Sequence, residues 1–413
     1  MNRTMVRTVA GTVLALCVAQ AAYATNGDSL EGIGGVSEAM GGVGVAAPQC
    51  GLTAIVNNPA GLSLVPGAEN PALTAGLTLF QPTVSAKITT PGGTVSGDSD
   101  DPLSLIPFFS YSQALNDKMQ VGFGAYGVSG MGVDYRGNQW DLDGNPANGY
   151  EGDLFTQFSS MKLAPAVSYK LNENLSLGAA LHGNYSTLDL DFGKAEALSA
   201  GIQLGMLYRM GSVQVGASYT TPQKSTFEEV YNFDAFSGDL QQDDLTLEQP
   251  AVYAGGVAWQ PTDKLLLEAN AKYLTWGDSE GYDAFDWENQ WVFAVGAQFK
   301  ATEKLSLRAG FNYAANPVKE HNGWNPEGLT EVQGKQVPTF GYEMLRNVGF
   351  PAIVESHLTV GFGYQLTEAL SLNVAYAHVL EEEIQSRSMG DAIQLESTLS
   401  EDSLGIGLAW AFQ

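Results

Sequence analysis

Ala301-Thr302-Glu303-Lys304-Leu305-Ser306-Leu307-Arg308-Ala309-Gly310-Phe311-Asn312-Tyr313 holds a tight turn followed by a strand with two unlike faces. Leu305, Leu307, Ala309, Phe311 and Tyr313 share one parity; Ser306, Arg308, Gly310 and Asn312 share the other. A period of two marks an extended strand, because successive side chains point to opposite faces. The turn recurs. Leu115-Asn116-Asp117-Lys118-Met119, Leu171-Asn172-Glu173-Asn174-Leu175, Pro261-Thr262-Asp263-Lys264-Leu265 and Leu366-Thr367-Glu368-Ala369-Leu370 follow the same pattern, and Arg209-Met210-Gly211-Ser212 is a shorter variant. Each puts residues that tolerate or hydrogen-bond a reversal where the chain must reverse. Spacings of roughly 40 to 65 residues leave room for two membrane strands and one loop.

The alternation continues after the other turns. Leu175, Leu177, Leu181 and Tyr185 oppose Ser176, Gly178, His182 and Asn184, and the last strand sets Leu404, Ile406, Leu408, Trp410 and Phe412 against glycine and alanine. Aromatic positions separate a membrane barrel from a soluble sandwich. Tyr111, Tyr169, Tyr208, Trp259, Phe299 and Tyr364 lie on the apolar parity just before a turn, while Tyr185, Tyr273, Tyr313 and Tyr376 close the row at the far end. Eight residues at a tilt near 40° rise about 20 Å, close to the apolar band between two aromatic girdles. Counting outward from the turns predicts strands at 72–82, 103–114, 119–130, 158–170, 175–190, 195–208 and 212–223. Seven more are expected at 245–260, 265–276, 288–300, 305–315, 353–366, 370–382 and 394–412. The expected fold is an all-β, 14-stranded antiparallel transmembrane barrel, with an even strand number as in single-chain bacterial barrels. Long outer loops are expected near 83–102, 131–157, 224–244 and 316–352.

Arg3 and Arg7, an apolar stretch from Val9 to Ala19 and Ala22-Tyr23-Ala24 read as a cleaved secretory signal over residues 1–24. Removing Cys17 with it leaves Cys50 alone, so no internal disulfide is expected. The net charge of −26 argues against a nucleic-acid partner. Much of that acidity falls in the loops, for example Asp98, Asp100 and Asp101, or Glu228, Glu229, Asp243 and Asp244. A solvated acidic surface is the preferred reading over a divalent-ion site, and no metal or cofactor is expected. Four histidines and no readable Ser-His-acid constellation give no basis for an enzyme.

Residues 25–71 are not strand-like. Gly32, Gly34, Gly35, Gly41, Gly42 and Gly44 stand among small residues, ahead of Asn57-Asn58-Pro59-Ala60-Gly61-Leu62. A disordered leader and a plug in the lumen both fit such a segment; Pro59 favours a fixed turn by presetting φ and holding Asn58 extended. This segment, its Asn58-Pro59-Ala60 motif and the 14-strand pattern resemble the FadL/TodX family of outer-membrane hydrophobic-compound transporters. Leu247-Glu248-Gln249-Pro250, Tyr273-Leu274-Thr275-Trp276 and Asn316-Pro317-Val318 extend the likeness along the chain.

The resemblance implies that 25–71 is a hatch, between the signal read at 1–24 and the barrel read at 72–413. It also implies uptake of a hydrophobic small molecule across the bacterial outer membrane. Ligand caught at the outer loops would enter a plugged lumen and leave sideways through a break in strand three, beside Asn58, Pro59 and Ala60. Gly122, Gly124, Gly127 and Gly130 are the strand-three candidates, since glycine inside a strand weakens it and often marks a bulge. The expected surroundings are lipid and lipopolysaccharide, and the expected state is a monomer.

Fatty-acid members carry a long helical loop between strands five and six and basic residues near the end of strand five. Here the connection at Asp191-Phe192-Gly193-Lys194 is short and Tyr185 to Asp189 holds no cation. Fatty acids and neutral aromatic or aliphatic hydrocarbons therefore both stay open as cargo. Lys272 and Arg308 fall on the lumen parity, where each has two readings: holding an acidic head group or pairing with Glu268. The rival readings are a general diffusion porin, which would lack the plug, and a surface adhesin or receptor barrel without transport.

Overall fold

The computed structural model describes residues 26–65, 71–100, 103–142, 154–190, 194–231 and 242–412; the expected signal at 1–24 lies outside them. Fourteen antiparallel strands make one wall. They are β1 (Ala72–Thr90), β2 (Ser104–Ala114), β3 (Met119–Asp134), β4 (Phe155–Lys170), β5 (Leu175–Asp189), β6 (Lys194–Met210) and β7 (Val213–Thr220). The second half comprises β8 (Val252–Thr262), β9 (Leu265–Leu274), β10 (Gln290–Lys300), β11 (Leu305–Ala314), β12 (Ser356–Gln365), β13 (Leu370–Ser388) and β14 (Gln394–Ala411). Each strand pairs with its neighbours in chain order, and β14 returns to β1 in register from Ala72↔Ala411 to Thr89↔Gln394. Closure matters in lipid, where an unpaired backbone edge has no water to bond.

The outward parity is the apolar one. Leu177, Leu181, Leu307, Phe311, Leu408 and Trp410 are exposed, whereas Ser176, His182, Asn184 and Asn312 on the opposite parity are buried. Among the girdle residues Tyr169, Tyr208, Trp259, Phe299 and Tyr364 face outward at one height, and Tyr185, Tyr313 and Tyr376 at the other. Tyr253 meets Tyr219 and Trp291 meets Tyr273 as tilted ring pairs, adding aromatic contacts to the far girdle.

The repeated turn has a hydrogen-bond reason. In all five copies the second residue's side chain accepts from the backbone two and three residues on. Asn116 Oδ1 takes the amides of Lys118 (3.0 Å) and Met119 (2.9 Å), and Asn172 those of Asn174 and Leu175 (both 2.9 Å). Thr302 takes those of Lys304 (3.2 Å) and Leu305 (3.0 Å), and Thr262 and Thr367 do the same. In the shorter variant Gly211 adopts φ 61°, the left-handed conformation for which glycine is suited.

Three expectations about the strands are corrected by the outer half. The loop expected at 83–102 continues the wall: β1 runs to Thr90 and folds back through a strand at Gly93–Asp98. The strands expected at 212–223 and 245–260 both stop at a proline. Pro222 and Pro250 have no N–H for the ladder, so the barrel strands end at Thr220 and begin at Val252, which pair with each other. Beyond the two prolines, Gln223–Tyr231 and Asp243–Gln249 form a separate antiparallel hairpin, where part of the loop 224–244 was expected. The wall is consequently uneven, with 19 residues in β1 and β13 but 8 in β7.

That outer half holds the largest buried apolar cluster, which includes Tyr135, Trp140, Phe158, Phe227, Trp276, Trp287, Tyr342 and Phe350. Short helical turns at Thr339–Glu343 and Met344–Gly349 fold into the mouth, where Thr156 Oγ1 donates to the Gly349 carbonyl.

Candidate ligand pathway

Residues 26–65 lie inside the ring of strands, bonded to it all round. Glu38 accepts from Thr78 on β1 and from Ser403 on β14. The Gly41 carbonyl accepts from Asn312 on β11 (3.1 Å), and Ser63 donates to Ser176 on β5 (2.8 Å). Glu268 on β9 points into the segment and collects the amides of Gly44, Ala46 and Ala47. A carboxylate held by several backbone N–H groups makes charge-assisted bonds, stronger than neutral ones.

Asn58 caps the short helical turn Pro59–Ser63: its Oδ1 accepts from the Ala60 amide, and Pro59 occupies the first position, where no N–H is needed. Its Nδ2 donates to the carbonyls of Val45 (2.7 Å) and of Met206 on β6 (3.0 Å). Asn58, Pro59 and Ala60 therefore sit against β5 and β6, and the helical turn they open also meets β4 and β3. Gly178 and Gly205 admit them: a Cβ on Gly178 would fall 2.1 Å from the Ala60 nitrogen. From this turn Leu62, together with Ile55, reaches β3 at Gly122, and Ile55 also meets Gly124.

The wall parts between β2 and β3. Their pairing ends at Phe108↔Tyr126, and beyond it Ser104 to Pro107 pair with β1 alone. Pro107 offers no N–H to a neighbour. On the other side of the gap β3 carries a bulge between Gly127 and Ser129. The exposed edge of β3 is taken by the N-terminal segment. Leu30 N–H donates to the Val128 carbonyl (3.1 Å), Gly130 N–H donates to the Asp28 carbonyl (3.0 Å), and Ser29 stands opposite Ser129. Leu30 packs on Phe80 and Ile106, so one residue touches β1, β2 and β3. Asp28 is held in turn by the Tyr282 hydroxyl and by Gln249 Nε2 (2.8 Å).

Behind the gap lies a lumenal cavity of about 150 Å³. Ile33, Val56, Tyr126 and Val292 supply apolar wall; Lys162, His182 and Lys272 supply polar positions. Lys272 donates to Asn57 Oδ1 (3.2 Å) and forms no ion pair with Glu268. Arg308 is not part of the cavity lining; it bonds Gln298 (2.7 Å) and Asn373 (2.9 Å) and forms no ion pair with Glu268 either. Sequence reasoning passed over Lys162, although it lies on the inward parity of β4 with Phe158, Ser160 and Ala164; strand parity alone would have found it.

At the rim, outside the membrane, His321 bridges two carboxylates, Nδ1 to Glu343 (2.6 Å) and Nε2 to Asp286 (2.9 Å). Arg346 reaches the second oxygen of Glu343 (3.2 Å) and the Lys319 carbonyl (2.5 Å). The hydrogen bond to Glu343 holds the His321 imidazole above its ordinary pKa.

A closed 14-strand wall has counterparts among known proteins. The family model described as Outer membrane protein transport protein (OMPP1/FadL/TodX) matches residues 11–192 and 182–324. The chain belongs to this family. It is accordingly an outer-membrane β-barrel of the FadL/TodX channels for hydrophobic compounds. Outer membrane protein P1 of Haemophilus influenzae is 21% identical over 364 residues, 73% of this chain and 72% of that one. The P. putida toluene transporter TodX superposes with a TM-score of 0.66 at 19% identity, over 93% of this chain and 99% of that one. A Pseudomonas aeruginosa FadL homologue gives 0.66 at 16% identity, over 94% and 100%.

Proposed function

We propose that this FadL/TodX family member takes hydrophobic small molecules passively from its outer loops into the lumen and releases them sideways between β2 and β3. Long-chain fatty acids and aromatic or aliphatic hydrocarbons are the cargo classes, in keeping with the toluene named for TodX. Residues 25–71 act as the hatch of a barrel spanning 72–413, after removal of a signal at 1–24. Asn58, Pro59 and Ala60 fix that hatch to the wall. Gly122, Gly124, Gly127 and Gly130 let β3 bend and receive it. The channel works as a monomer among lipid and lipopolysaccharide.

One observation carries the reading: the β2–β3 ladder stops where Asp28 to Leu30 pair with Val128 to Gly130. A removable segment in place of a barrel strand makes a wall that opens without breaking the ladder elsewhere. The test is a Ser29→Cys/Ser129→Cys pair in a Cys50→Ser background. Facing residues of a non-hydrogen-bonded antiparallel pair are close enough to cross-link with little backbone movement. Cells carrying the oxidised form are expected to lose uptake of toluene or oleate and to regain it with a reductant. Equal uptake by cross-linked and reduced protein would refute lateral exit at this gap.

A further inference from the structure

The polar groups of the lumenal cavity are unevenly satisfied. Lys272 has Asn57 as acceptor and lies in the fields of Glu31 and Glu268. Among the described residues Lys162, by contrast, makes no hydrogen bond or ion pair; the field of Asp28 reaches it, but that carboxylate is bonded to Tyr282 and Gln249. His182, across the β4–β5 ladder, is 4% exposed; the side chains of Gln203 and Gln223 lie near its ring, but neither ring nitrogen reaches a partner in good hydrogen-bond geometry. The side-chain oxygen of Gln203 beside them is also unbonded. A half-buried cation and a buried imidazole without partners are costly unless something else completes them.

We propose that Lys162 and His182 receive the carboxylate of a compact, ring-sized hydrophobic acid whose apolar body lies against Ile33, Val56, Tyr126 and Val292. This rests on the channel reading above and narrows its cargo. An ammonium and an imidazole N–H both donate to a carboxylate, and charge-assisted bonds of this kind discriminate against a ligand that lacks the acceptor. A neutral hydrocarbon would fill the same space and leave both groups unpaired. Size sets the other limit: an apolar cavity of roughly 150 Å³ accommodates benzene, and that is about the volume here. A long acyl chain exceeds it and would have to run on beyond this partly open pocket.

The test is calorimetric titration of the purified full-length protein in detergent with benzoate, toluene and laurate, alongside Lys162→Met, Lys162→Arg and His182→Gln. Resistance of the folded barrel to SDS at room temperature verifies each variant. Benzoate is expected to bind more tightly than toluene or laurate and to weaken about tenfold or more in Lys162→Met, the loss expected for a hydrogen bond to a charged group. Lys162→Arg should retain most of the affinity, His182→Gln should lose part of it, and toluene should change little. Unchanged benzoate affinity in Lys162→Met, or laurate binding more tightly than benzoate, would overturn the proposal. Lys162-dependent binding of benzoate without uptake of any probe by cells would sustain the site and refute the channel reading alone.

Discussion

The Glu268 carboxylate oxygen lies 2.8 Å from the amide nitrogen of Ala46, a residue 222 positions earlier in the chain. The same oxygen takes the amides of Gly44 (3.1 Å) and Ala47 (3.3 Å), so one strand side chain gathers a whole turn of the N-terminal segment. Glu268→Ala removes the acceptor and strands three buried N–H groups. The segment should loosen by about 3 kcal/mol while the barrel, whose ladder is untouched, stays folded. Planar-bilayer recordings should show a higher or flickering ion conductance; wild-type conductance would mean that the other anchors suffice.

The Asn58-Pro59-Ala60 turn depends on a missing side chain opposite it. Gly178→Val would place Cβ within 2.1 Å of the Ala60 nitrogen, so the turn must move away from β5. Pro59→Ala is milder, forfeiting about 0.4–1 kcal/mol of preset backbone. Both variants should insert normally. Uptake of the native cargo should fall, more for Gly178→Val than for Pro59→Ala, and the reverse order would separate the turn from transport.

The rim cluster should respond to pH. Protonated His321 donates from both ring nitrogens, to Glu343 and Asp286; the neutral ring donates from one. Because its pKa is raised in the folded protein, the stabilisation is fully present below the unfolded value of about 6.5 and fades as pH rises through the folded value. Limited proteolysis of segment 316–350 should therefore accelerate from mildly acidic to alkaline pH. His321→Gln should flatten that profile; an unaltered slope would assign the effect to another group.

The repeated turn gives a prediction about assembly. Thr302→Val keeps the shape and deletes the acceptor for Lys304 and Leu305. A loss of about 1 kcal/mol is expected, visible as a lower unfolding midpoint in urea at unchanged transport.

The wall was legible in the sequence because lipid leaves few alternatives: each strand needs an apolar outer row, a small or polar inner row and a turn that reverses. Residues 301–313 carry all three locally. The outer half was less legible. There water accepts alternation of any kind, so the strand extension to Thr90 reads as loop, and the breaks at Pro222 and Pro250 need their proline stops weighed against continuing alternation. Site residues divided in the same way. Lys272 lines the cavity, Lys162 lay on a face the pattern already marked as inward, and Arg308 is engaged outside the cavity lining with Gln298 and Asn373.

What the sequence determined by itself is what repeats within a dozen residues: strand parity, turn chemistry, girdle height and strand number. What only the tertiary structure decided is where distant segments meet. Asp28 to Leu30 complete the edge of β3, Asn58 bonds β6, and Glu268 gathers residues 44–47. These contacts join positions roughly 100 to 220 apart, and nothing in local periodicity encodes them. They follow from closure, which forces every inward side chain of fourteen strands to share one lumen with the segment folded inside it.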